Sequence, residues 1–158
     1  MRERGFSLIE LLIVVAIILV LAAIAIPNML RAKIQANEAS ATSSVRAINT
    51  AQVTYAVTYP SSGYADNLAK LGAPTSGPVT SANSGLLDWV LGCATQPCSK
   101  SGYQFAIINA TGTPVDSYTV VGTPASPGNS GIRGFCSAQM NPIMYDPAGG
   151  TACTVNMQ

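Results

Sequence analysis

The sequence predicts an α+β protein, with one long N-terminal helix followed by a small antiparallel β-sheet. Three observations predict it. Residues 6–26 hold two polar side chains, Ser7 and Glu10, and residues 11–26 are sixteen apolar residues in a row. Residues 30–59 place apolar side chains at helical spacing. Beyond residue 60, short alternating runs are separated by turns rich in Gly, Pro, Ser and Thr. The 158 residues suffice for one domain with an appended element. Three segments result: a short basic leader (1–5), a long helix (6–59) with a membrane or assembly half at 6–26, and a β-rich head (60–158).

The helix comes first. Residues 6–26 number 21, which at about 1.5 Å per residue is roughly 31 Å, the thickness of a bilayer core. A helix apolar on every face belongs in lipid or inside a bundle. After Pro27 the character changes. Leu30, Ile34, Ala41, Val45, Ile48, Tyr55 and Tyr59 make one stripe, with Arg31, Lys33, Glu38 and Arg46 read as lying off it. Pro60 to Gly63 end the helix. The amphipathic half is expected to lay its stripe on the sheet while the apolar half protrudes, a ladle.

In the head, "YQFAII" (103–108), "SYTVV" (117–121), "IRGFC" (132–136) and "PIMY" (142–145) read as strands. "SGLLDWVLG" (84–92) reads as a helical turn or short helix. Trp89, Tyr103, Phe105, Tyr118, Phe135 and Tyr145 are expected in the sheet's core and at its edges. Asp66, Asp88, Asp116 and Asp146 lie near turn residues and are read as solvated or capping.

Composition narrows the function. Net charge is +1, and without Arg2, Glu3 and Arg4 six basic and six acidic residues remain. That balance argues against nucleic-acid binding driven by bulk charge. There is no histidine, hence neither the commonest general base nor the commonest metal ligand. No P-loop, nucleotide fingerprint or Ser–His pair is present. The residues point to no enzyme, no metal and no cofactor. If the head crosses a membrane into an oxidising compartment, Cys93, Cys98, Cys136 and Cys153 pair. Three connectivities are possible; Cys93–Cys98 with Cys136–Cys153 is favoured because each closes a local loop.

The leader "MRERG" places two arginines before the apolar run, and such residues stay on the cytoplasmic side. Ala23-Ile24-Ala25 resembles a secretory cleavage site. Against that reading, the apolar run is longer than a signal core and the helical pattern continues past it. The stretch "RGFSLIELLIVVAIILVLAAIAIPNML" resembles the N-terminus of type IV pilins and pseudopilins: basic leader, Gly5, Phe6, Glu10 four residues on, apolar run, Pro27. Many relatives have glycine partway along the run, where this chain has Leu19.

The resemblance implies a history for the chain. A prepilin peptidase would cut between Gly5 and Phe6 and methylate the new Phe6 amine. An inner-membrane assembly platform and its cytoplasmic ATPase would then draw the subunit from the inner membrane, head in the periplasm, into an extracellular helical homopolymer. Pro27 would mark a stretch that can extend on assembly, and the Cys136–Cys153 loop would be the C-terminal staple. A carboxylate within a membrane segment costs about 2.5–3.5 kcal/mol on insertion scales. Glu10 would repay that by pairing with the amine of a neighbouring copy, which sets register more than stability. The expected function is a pilus subunit serving motility, adhesion or DNA uptake. The alternatives are a type II secretion pseudopilin or minor pilin, a membrane-anchored binding protein that never assembles, and a secreted soluble domain.

Overall fold

The structure is a computed structural model that describes residues 7–139 and 142–157. The leader 1–5, the Gly5–Phe6 bond and the Phe6 amine lie outside the described residues. The chain divides into two units, Met1–Lys33 and Ile34–Gln158, and one helix, α1 (Leu8–Thr58), enters both.

In the first unit α1 runs through Leu, Ile, Val and Ala, and its large apolar side chains from Leu8 to Met29 are exposed. Its start is shaped by Ser7 and Glu10. The Leu11 N–H donates to the Ser7 carbonyl at 3.3 Å, and the Ser7 N–H donates to Glu10 Oε2 at 2.9 Å. The second bond is the returning half of a capping box, in which an acid three residues in satisfies the N-cap amide. Pro27 lacks a donor, yet α1 continues through it. The Asn28 side-chain amide donates to the Ile24 carbonyl at 3.2 Å, beside the position Pro27 leaves without a donor. The change at Pro27 is therefore one of composition and not of helix.

In the second unit α1 buries Ile34, Ala41, Val45, Ile48, Ala51 and Tyr55. Thr42, Thr50, Thr54 and Thr58 each donate a hydroxyl to the carbonyl four residues back, at 2.8–3.1 Å. Pro60 cannot continue the ladder, and Gly63 turns the chain at φ 73° while its N–H donates to the Tyr59 carbonyl. A single turn, α2 (Leu68–Leu71), follows, capped by Asn67.

The sheet has six strands: β1 (Cys98–Lys100), β2 (Tyr103–Thr111), β3 (Ser117–Pro124), β4 (Gly134–Ala138), β5 (Met144–Asp146) and β6 (Val155–Asn156). They lie in chain order, each antiparallel to the next. The four expected runs coincide with or overlap β2 to β5; β1, β6 and α2 were not expected. In β2, Tyr103, Phe105 and Ile107 alternate inward and join one core with Val45, Ile48, Leu68, Val120 and Phe135. Gly122 faces Phe105 across the ladder. A Cβ there would come within 2.9 Å of the Phe105 ring, so only glycine lets the ring lie between sheet and helix. Asn109, at φ 53°, sits in the irregularity between Ile108 and Thr111.

Two expectations need correcting. Residues 84–92 hold a single helical turn, at 88–92, and no helix, the first of the two readings: Asp88 Oδ1 accepts the Leu91 N–H and the Asp88 carbonyl accepts the Gly92 N–H, both at 2.8 Å. The turn sends Leu87 and Leu91 inward and Trp89 outward, so Trp89 is 82% exposed and no part of the core. Glu38, read as lying off the apolar stripe, is 6% exposed.

Candidate assembly site

Glu10 and Pro27 stand on α1 seventeen residues apart, about 25 Å along a helix, so the structure does not bring them together. Glu10 is exposed, with one oxygen on the Ser7 amide and the other without a hydrogen bond among the described residues. Around it are Leu, Ile and Val. Among the described residues α1 is the one helix long and apolar enough to cross a membrane, by length and composition. The chemistry available here is that of an acid among apolar side chains: it can accept a proton or answer a cation.

The cysteines lie elsewhere. Cys93–Cys98 closes the loop that enters β1, and Cys136–Cys153 ties β4 to the segment before β6. Both bonds are in the head; among the described residues no three His, Cys, Asp or Glu side chains gather as a metal would need.

Besides the apolar core, polar bonds fasten the second part of α1 to the rest of the head, and sequence reasoning missed them. The apolar stripe has two gaps of seven residues, Ile34 to Ala41 and Ile48 to Tyr55. Glu38 fills the first and Gln52, fully buried, the second. Each falls four residues after one stripe member and three before the next. Glu38 Oε1 accepts the N–H groups of Ile132 and Arg133 at 3.0 and 3.1 Å; Oε2 accepts Arg133 Nε and Nη2 at 2.9 and 2.6 Å. Gln52 accepts the Ala65 N–H and donates to the Ala65 carbonyl, both at 2.8 Å. Asn37 donates to the Ser130 carbonyl and Asn49 to Ser137 Oγ.

Electrostatics follow this wiring. Burial raises the Glu38 pKa, but the Ile132 N–H and the Arg133 side chain and N–H outweigh it and hold the carboxyl below the ordinary range. Arg133 also lies over the Phe135 and Tyr145 rings, 5.8 and 5.3 Å from their centroids. Burial pushes the Tyr118 phenol up to about 12, with Tyr64 adding to it; its hydroxyl donates to Asn49 Oδ1 at 3.3 Å. On the surface, the Leu91 N–H is the main cause that holds Asp88 low, against some burial and with help from Lys100.

Comparison with known proteins adds to this geometry. The family model of the prokaryotic N-terminal methylation motif matches residues 1–26. The type IV major pilin protein PilA of Myxococcus xanthus is 50% identical over 54 residues, 34% of this chain and 24% of that protein. The type IV wide pilus major component PilA4 of Thermus thermophilus is 60% identical over 37 residues, 23% of this chain and 28% of that protein. The matched stretch thus spans about a quarter of either relative's length. No solved structure matches the chain. The motif and the two relatives support a type IV pilin family.

Proposed function

We propose that this chain, a pilin by its N-terminal motif, α+β fold and relatives, is a subunit that polymerises through the first part of α1 into a surface fibre. The observation that carries the reading is the run of exposed apolar residues on α1 that holds one acid, Glu10, the third residue of the helix. Such a helix needs lipid or copies of itself. A peptidase removes residues 1–5 and leaves a methylated amine at Phe6. Before assembly the segment sits in the inner membrane, N-terminus cytoplasmic, and its own Ser7 amide lowers the cost of keeping Glu10 there. In the fibre the Glu10 oxygen left open answers the Phe6 amine of the adjacent copy. A mismatched stagger would leave both charges unanswered, so the pair selects register on a seam of similar apolar side chains. The assembly platform and its ATPase supply the work. Motility, adhesion or DNA uptake would be the fibre's use.

Mass spectrometry of the mature protein tests the processing, since the chain should begin at methylated Phe6. A start at Met1 would overturn it. Sheared surface fibres should contain the chain. Retention in the cell envelope with no fibre would instead favour a pseudopilin. Glu10→Ala should be inserted and cleaved normally but yield few fibres; normal fibres would remove the register role.

A further inference from the structure

Among the described residues of the head, one cation and two acids, Arg46, Asp116 and Asp146, stand outside any ion pair. Within residues 34–157 the described ion pairs are Arg133–Glu38, Lys70–Asp66 and Lys100–Asp88. Asp146 accepts the Ala148 N–H in its own turn. Arg46 and Asp116 remain, both exposed and, among the described residues, with no side-chain hydrogen bond or ion pair. They occupy different kinds of surface. Arg46 stands between two depressions along α1, of about 340 and 530 Å³, the first lined also by Gln35 and Glu38, the second by Asn49 and Ile143, and both by Met157. Asp116 closes the β2–β3 turn, whose residues 111–114 are exposed. That turn is held at the end of α1, because the Val115 N–H donates to the Ser62 carbonyl and the Val115 carbonyl accepts the Tyr64 N–H.

We infer that the β2–β3 turn of one copy seats in the groove along α1 of the next, with Asp116 answering Arg46; this rests on the fibre reading above. Two observations favour a second copy as the occupant. Arg46 and Asp116 are opposite in charge and belong to one chain. One sits on a projecting turn and the other in a groove. Two different patches that meet head-to-tail give a heterologous contact, which need not close and so builds a helical filament. Arg46 lies twelve residues before the helix end at Thr58, about 18 Å, so neighbours joined this way would be displaced along the helix by a distance of that order.

The test is charge reversal in the full-length chain, expressed in its native host, with fibre yield measured per membrane-inserted subunit. Arg46→Glu and Asp116→Arg alone should each lower the yield about tenfold, the effect of about 1.4 kcal/mol on the contact. The double variant should recover most of it. If a reversed-charge chain does not accumulate, Arg46→Gln and Asp116→Asn replace it, and their double variant should lose no more than either alone. Normal yield from the single variants, or a reversed pair no better than its worse member, overturns the contact while leaving the fibre reading intact. Absence of fibres from the unaltered chain overturns the fibre reading first, and the contact with it.

Discussion

Removing the Glu38 carboxylate should loosen α1 from the sheet by an amount that can be worked out. In Glu38→Ala, the Arg133 guanidinium and the N–H groups of Ile132 and Arg133 lose their acceptor. Breaking a buried ion pair by deleting one partner costs about 3–5 kcal/mol. The Arg133 side chain is 41% exposed, so water recovers part of its charge and the lower figure of about 3 kcal/mol applies. For a chain of 158 residues, at about 2–4 °C per kcal/mol, the melting temperature falls by about 6–12 °C. Near-ultraviolet circular dichroism of the full chain in detergent reads this through the packed Tyr103 and Tyr118. The pH dependence gives a second arm. The folded pKa of Glu38 is lowered, so its stabilisation is whole above the unfolded value of about 4.3 and is lost as pH falls through the folded one. Between pH 7 and 3 the unaltered chain should lose more stability than Glu38→Gln. A Glu38→Ala melting point within about 2 °C of the unaltered chain would refute the reasoning.

Gln52→Leu keeps side-chain bulk but strands the N–H and carbonyl of Ala65, and should cost about 2–4 kcal/mol in chemical unfolding. Of the two disulfides, removing Cys136–Cys153 should cost more, because its residues are 17 apart against 5. Loop entropy gives about 3 kcal/mol against about 2, read by denaturation of the two double-serine variants. Trp89→Ala should change stability by less than about 0.5 kcal/mol, and acrylamide should quench Trp89 in the folded protein nearly as well as in the unfolded one.

Much of this fold was legible in the residues. Of the seven apolar positions in the α1 stripe, Ala41, Val45, Ile48 and Tyr55 are fully buried, while Leu30 is exposed. Alternation in "YQFAII" located β2. What escaped notice were elements whose cause lies far away in the chain. The strands β1 and β6 are three and two residues long, too short for a period to show. Acids and amides are seldom buried, so composition does not point to Glu38, read as off the stripe, or to Gln52, although the seven-residue gaps in the stripe mark their places. Their partners are 94 and 13 residues further on, so no local pattern announces them. Trp89, expected in the core of the sheet or at its edges, is exposed. Asp88 accepts an amide three residues ahead and turns the backbone, and that decides which side chains face in.

The order of the strands bears on how the head is made. Each strand lies beside the one synthesised just before it. A chain emerging end-first from a pore therefore meets its pairing partner already in place, and the loops to be closed are short. The sheet can be laid down like courses of brick, with its first and its latest rows as the two edges. The latch between α1 and Arg133 comes late, once the fourth course has arrived, so unfinished heads differ from finished ones in how firmly the helix is gripped.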